Sequence, residues 1–358
     1  MRSFVPSLLL ATVLPLAVAL QSGCEEKSKA SPGPSSSSSA APDDTVVLDP
    51  SMRKALAASS ASASGGSRGD GPPESGVFDP GAADAVHARG KPVEVKLGTE
   101  GNEPRVTLGP AVPFKGTVVL SVGVRMGPRN ALPTVDFTLE FAPEKADKPA
   151  EGAAAAMPAT IVKIKKSELS KEQLGQVPEA AAKEVAKLKG SEMRIVRGPG
   201  GAASDMSVQL AKGAVPEFER TLVALADALM AFDVPAPPKP VGANAVWIAQ
   251  SRHAYAGVDV VSYRMYTVTE VKGDDVTISV EVKQYAASPN LSFAGLPPEV
   301  QLTQFESVGT GELTVHKGEG LPRTGRFAQQ MSLGMPGQGQ NANRMMMLQL
   351  QSNVLLSR

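Results

Sequence analysis

One cysteine, three histidines and a few strand-borne carboxylates are the side chains of this 358-residue chain on which chemistry could rest. Cys24 is alone, so no internal disulfide can form, and an unpaired thiol is a liability in an oxidising compartment. His87, His253 and His316 are scattered, and neither an H-x-x-x-H pair nor a cysteine cluster offers metal-ligand spacing. The stretch RGPGGAASD, from Arg197 to Asp205, is glycine-rich but lacks the Lys-Ser/Thr of a phosphate loop. It falls between two predicted strands and reads as a hairpin loop. Asp136, Glu140 and Glu281 lie on the wet faces of alternating strands, with nothing to single out an acid and a base. The expectation is a non-catalytic protein without metal or cofactor.

The chemistry that Cys24 does suggest depends on what precedes it. Arg2 gives a positive start, Phe4 to Leu20 is an apolar run broken by Pro6 and Pro15, and Ser22 and Gly23 are small. That pattern is a secretory signal over residues 1–23, short of the ~20 uninterrupted apolar residues a bilayer span needs. Two cleavage sites compete. Ala17-Val18-Ala19 fits an ordinary A-x-A cut after Ala19. Ser22-Gly23-Cys24 resembles the lipobox of bacterial lipoproteins, although Gln21 stands where that family prefers Leu. The resemblance implies cleavage before Cys24, acylation of Cys24, and stable anchoring through several acyl chains. The implied location is the bacterial cell envelope, at the outer membrane, on its periplasmic or surface side.

Residues 24–92 are rich in Ser, Ala, Pro and Gly, with too few large apolar residues to offset the entropy of ordering. They are expected to be a disordered tether, reaching ~40–50 Å at random-coil dimensions. One island, GVFDPGAADAVHARG, predicts a short helix capped by Asp79 with Pro80 in its first position and Gly90 as its stop. Val77 and Phe78 either dock on the body or belong to a transient turn. With 36 basic and 36 acidic residues and no basic block, nucleic acid is not an expected partner.

Residues 93–358 form the body, one domain or two halves, 93–235 and 236–358. Its signal is period two: Val118, Leu120, Val122 and Val124; Val135, Phe137, Leu139 and Phe141; Val276, Ile278, Val280 and Val282. Further strands are expected at 160–166, 192–197, 206–210, 245–253, 258–272, 306–316, 323–335 and 344–355, with Lys272-Gly273-Asp274 as a hairpin turn. Alternation with one wet face implies antiparallel strands. Two helices interrupt them. One starts at Pro178 with a face of Ala181, Val185 and Leu188. The other starts at Pro216 with a stripe of Phe218, Leu222, Leu225, Leu229 and Phe232, and Asp227 is the only charge between Leu222 and Phe232. About ten strands at ~4.8 Å make a layer some 48 Å wide, and two helices cover roughly half of it. The fold class expected is therefore α+β, with a curved, mostly antiparallel sheet, an open or half barrel, wrapping two helices.

The Trp and all four Tyr cluster in one stretch, Trp247 to Tyr285. In strand 258–272 both faces carry mixed residues: Val260, Ser262, Arg264 and Tyr266 on one, Val261, Tyr263, Met265 and Thr267 on the other. Such a strand is not simply solvated on one side. Trp247, Tyr263, Tyr266, Met265, Leu225, Leu229 and Phe232 are the candidate lining of a ligand cavity. Half-buried strand aromatics would read the same way. Met331, Met335, Met345, Met346 and Met347 suit either core filling or variable apolar guests.

Curling round a helical lid resembles bacterial lipoprotein carriers and lipid-binding lipoproteins, which are incomplete antiparallel barrels holding acyl chains. Pro240, Val241, Gly242, Ala245 and Trp247, followed by a β-meander to Met335, resemble a family of exported bacterial lipoproteins sharing a P-V-G-x-x-A-x-W opening. These resemblances imply a membrane-anchored lipoprotein that binds an apolar ligand, lipid or acylated partner. The rival expectation is an envelope scaffold that binds protein through its surface over a filled core.

Overall fold

The computed structural model describes residues 73–109, 114–126, 130–131, 133–144, 159–170, 179–197, 202–214, 219–291, 300–319, 321–337 and 344–358. Cys24, the signal segment and the tether up to residue 72 lie outside them, as do Pro178, Pro216, Phe218 and residues 198–201 of the glycine-rich loop. In chain order the elements are α1 (Ala82–Val86), β1 (Glu94–Thr99), β2 (Gly116–Met126), β3 (Asn130–Ala131), β4 (Val135–Pro143), β5 (Thr160–Leu169), α2 (Glu179–Ala186), β6 (Glu192–Arg197), β7 (Ala203–Gln209), α3 (Glu219–Ala231), β8 (Val246–Tyr255), β9 (Val258–Lys272), β10 (Asp275–Leu291), β11 (Gln304–His316), β12 (Thr324–Pro336) and β13 (Met345–Ser357).

All strands join one sheet in the order β1-β8-β9-β10-β11-β12-β13-β2-β4-β5-β6-β7, with β3 beside β2. Every strand pair is antiparallel, and the sheet is not closed. The two chain halves meet where β13 pairs with β2, Val354 opposite Val122. Lys272 faces Asp275 across the expected hairpin. Two strands, β1 and β3, were not anticipated. The first is a six-residue edge strand, EVKLGT, and the second is two residues long, too short for period two to register.

The sheet bends, and one residue shows by how much. Asp233, just past α3, accepts from Arg197 of β6 at 2.6 Å and from the Ala203 N–H of β7 at 3.0 Å. Its carbonyl accepts from Arg264 at 3.0 Å and Tyr266 at 3.2 Å, both on β9. Strands β9 and β6 stand eight places apart in the sheet. At ~4.8 Å per strand a flat layer would separate them by roughly 38 Å. They meet at a single residue because the sheet curls round α3.

The helix fills the concavity. Leu222, Leu225, Ala226, Ala228, Leu229 and Phe232 are buried in a core that draws on β2, β4 to β6 and β8 to β13. Burying the three leucines and the phenylalanine contributes roughly 6–12 kcal/mol before entropy is subtracted. From Leu222 to Phe232 only Val223 is left exposed. Arg264 also donates to the Met230 carbonyl at 3.1 Å, so a cation caps the negative end of the helix. On α2, Val185 and Leu188 are buried, whereas Ala181 of its expected face is exposed.

The outer face of β8 to β10 is covered by residues 73–91, which composition had assigned to the tether. Those residues belong to the folded body: the docking alternative for Val77 and Phe78 is the one observed. Residues 75–78 form a wedge between β10 and β11 where those strands part. Ala286 donates to the Gly76 carbonyl at 2.9 Å, Phe78 to the Ala286 carbonyl at 2.9 Å, and Phe305 to the Ser75 carbonyl at 2.8 Å. Gly76 has φ +74, and a Cβ there would lie 1.7 Å from the Phe305 carbonyl oxygen. Helix α1 then lies outside the sheet, capped by Gly81 rather than Asp79. The Gln250 amide donates to the Val86 carbonyl and Arg252 to that of His87.

Candidate functional site

The inner faces of β8 to β13 present, row by row, an apolar layer under α3, then a polar belt, then a second apolar layer. The belt follows from register: Ser251 opposes Ser262, Ser262 opposes Gln284, Gln284 opposes Ser307, and Gln329 opposes Ser352. Ser307 donates to Gln284 Oε1 at 2.7 Å, and Gln329 Nε2 donates to the same oxygen at 2.7 Å and to Ser307 Oγ at 2.9 Å. Buried amides and hydroxyls satisfied in this way hold the interior at low cost. Ser262 Oγ, buried in the same belt, makes no hydrogen bond among the described residues.

A cavity of about 100 Å³ opens where the belt reaches β12, β13 and β2. Its wall is Val122 and Val124 of β2; Ala224, Asp227, Ala228 and Ala231 of α3; Tyr255 and Ala256 of the β8–β9 turn; and side chains of β12 and β13 that include Phe327, Gln329, Met331 and Leu350. Three alanines of α3 stand on the wall, Ala224, Ala228 and Ala231, where longer side chains would fill the space. Among the described residues Asp227 is the one acidic or basic side chain on this wall. Its Oδ2 accepts from the Ala256 N–H at 3.2 Å. Burial raises its carboxyl to about 7, only partly offset by that hydrogen bond. Tyr255 hydrogen-bonds Ser352 and is pushed above the ordinary phenol range by burial. His253, on the same face of β8, is held at about 4 by burial and then by the Arg264 guanidinium.

None of the seven residues expected to line a cavity lines this one. Trp247, Tyr266, Leu225, Leu229 and Phe232 do come together, as solid core. The Trp247 and Tyr266 rings stack at 5.1 Å, Trp247 Nε1 donates to the Pro235 carbonyl at 3.1 Å, and Phe232 rests on Gly325. Tyr263 and Met265 are on the opposite face of β9, packed with Phe78, Ala83, Val261, Tyr285 and Ala287. The mixed pattern of β9 did mean two covered faces: every residue from Val260 to Tyr266 is buried. Of the methionines, Met331 lines the cavity and Met335 is buried, while Met345, Met346 and Met347 are exposed. Two signals in the sequence fall on this site: Asp227, the only charge between Leu222 and Phe232, and Met331, one of the methionines that suit either core filling or apolar guests.

The P-V-G-x-x-A-x-W residues have structural explanations. Val241, Ala245 and Trp247 are fully buried, Val241 bridges Val106, and a Cβ on Gly242 would meet the Asn102 carbonyl oxygen at 1.7 Å. No protein-family model matches the chain, and no curated protein matches it. Among the described residues no group of three His, Cys, Asp or Glu could hold a metal ion. No described helix is long and apolar enough to cross a membrane.

Proposed function

We propose that this chain is a bacterial lipoprotein, anchored to the envelope membrane through Cys24, whose body binds an apolar ligand, lipid or acylated partner without catalysing a reaction. The observation that carries the reading is the hollow between α3 and the inner sheet, with its apolar wall of Val122, Val124, Phe327, Met331 and Leu350. Its open sheet curled round a helix is also what the likeness to lipoprotein carriers implies. Size limits the guest. A dry cavity of about 150 Å³ holds a benzene ring, so 100 Å³ seats a short alkyl group or the tip of a longer chain.

Native mass spectrometry of gently purified protein tests this, with a co-purifying apolar molecule expected. Its repeated absence, together with unchanged spectra for Ala228→Phe, would remove the ligand from the reading. Cys24→Ala is expected to move the protein from the membrane to the soluble fraction; retention in the membrane would remove the anchor. A second reading, an envelope scaffold, is favoured by the solid packing of the five inner residues that were expected to line a cavity. In-cell crosslinking separates the two, since a scaffold gives one stable partner and a binder of small apolar molecules does not.

A further inference from the structure

The polar equipment of the cavity is one-sided. Both hydrogens of the Gln329 amide nitrogen are taken by Gln284 and Ser307, so what Gln329 has left for a guest is its carbonyl oxygen, an acceptor. Asp227 has one bond, from Ala256 to Oδ2, and its Oδ1 has no partner among the described residues. Ser352 and Tyr255 are hydroxyls already bonded to each other. Among the described residues no Lys, Arg or His lines the cavity: β2 contributes Val122 and Val124, and β12 and β13 contribute only neutral side chains. Of the ionisable groups there, only Tyr255 faces Asp227. A site furnished with acceptors and a carboxylate repels an anionic head and rewards a donor.

We propose that the cavity selects a small amphipathic amine, its ammonium donating to Asp227 and the Gln329 carbonyl and its short alkyl body lying against Val122, Val124, Phe327 and Met331. The proposal rests on the reading above of the hollow as a trough for an apolar guest and narrows it, since a free fatty acid, with its carboxylate, is the wrong head group. An ammonium also supplies the counter-charge that the buried carboxylate lacks, and the resulting charge-assisted bond is the strong kind. Burial holds the Asp227 carboxyl at about 7, so the ion pair strengthens as pH rises through neutrality.

The test uses the purified full-length chain titrated with n-butylamine, n-butanol and butyrate, followed by ligand-observed NMR at pH 5 and pH 8. The expected result at pH 8 is amine binding about tenfold tighter than the alcohol, with butyrate weakest. At pH 5 the advantage of the amine over the alcohol should shrink to about twofold or less, and Asp227→Asn should abolish that advantage at pH 8. The pH series on the unaltered chain keeps the test decisive if the variant folds poorly. If butanol binds and the amine binds no tighter at pH 8, the head-group assignment fails while the trough stands. If neither binds, nor does Ala228→Phe alter any spectrum, the trough itself fails and this inference with it.

Discussion

The two faces of β8 to β10 are both buried, by opposite means. On the inside a thirteen-residue helix, α3, sinks a leucine and phenylalanine stripe into a core drawn from nearly the whole sheet. On the outside the cover is thin: a five-residue helix, a wedge of backbone, and a few charged contacts such as Arg89 to Asp259 at 2.6 Å and Arg252 to Asp84 at 2.6 Å. The inner cover is held by apolar area, which scales with what is buried. The outer cover has a smaller apolar cluster round Phe78 and Ala83 and relies as well on hydrogen bonds and on ion pairs with an exposed partner, which solvent screens. The difference teaches that the sheet's curvature belongs to α3, while the strap only seals a face that the curve leaves apolar.

Truncating the inner anchor should break that contrast hardest. Phe232→Ala empties a ring-sized space against Gly325 and is expected to lower stability by about 3–5 kcal/mol, measured by denaturant unfolding; a loss under 1 kcal/mol would mean that the helix does not hold the curve.

Titration sharpens the contrast next, because two half-buried groups act on the inner side in opposite senses. Asp227 has its carboxyl raised from 3.8 to about 7, so between those values the folded chain keeps a proton that the unfolded chain releases. Its contribution is present at low pH and is lost as pH rises through 7. His253 is lowered from 6.5 to about 4, so the unfolded imidazole takes a proton that the folded one refuses, and acid weakens the fold across that interval. Asp227→Asn removes the first effect only. The variant should gain on the parent chain by on the order of 2–4 kcal/mol between pH 4 and pH 8 in thermal or denaturant scans. A gap independent of pH would deny that the carboxyl is buried.

On the outer side the effects are smaller and local. Gly76→Ala puts a methyl into the Phe305 carbonyl at a positive φ and should cost about 1–3 kcal/mol. The readout is hydrogen exchange: the Ala286 and Phe305 amides should lose protection while inner-face amides of β10 keep theirs. Arg89→Ala, at a side chain 75% exposed, should change stability by less than about 1 kcal/mol. If it matched Phe232→Ala, the strap would be a structural equal of the helix.

Much of the fold was written in alternation. The bounds of β2 and the turn at Gly273 follow directly from period two and turn chemistry, because successive residues of β2 alternate between the core and the outside. The strap was hidden by dilution: Val77, Phe78, Ala83 and Val86 are few among Gly, Pro and Ser, and composition averages them away. The pairing of Tyr263 with Met265, and of Arg264 with Tyr266, was legible as well. Which pair faced inward was not. Both faces of β9 are apolar, and the choice is made by Phe78, almost two hundred positions earlier in the chain, settling on the outer one. The place and size of the cavity were illegible for a related reason: it lies where three alanines on α3 meet β2, β12 and β13, and a void has no residue of its own to read.

The wedge at 75–78 also decides where traction from the N-terminal side is felt. A pull on residue 73 does not peel an edge strand; it loads the seam between β10 and β11, in the interior of the sheet, through the three backbone bonds of Ser75, Gly76 and Phe78. Those bonds would rupture before strain reached Asp233 and the core round α3. The strap is thus a mechanical fuse, parting first and leaving the curled body whole.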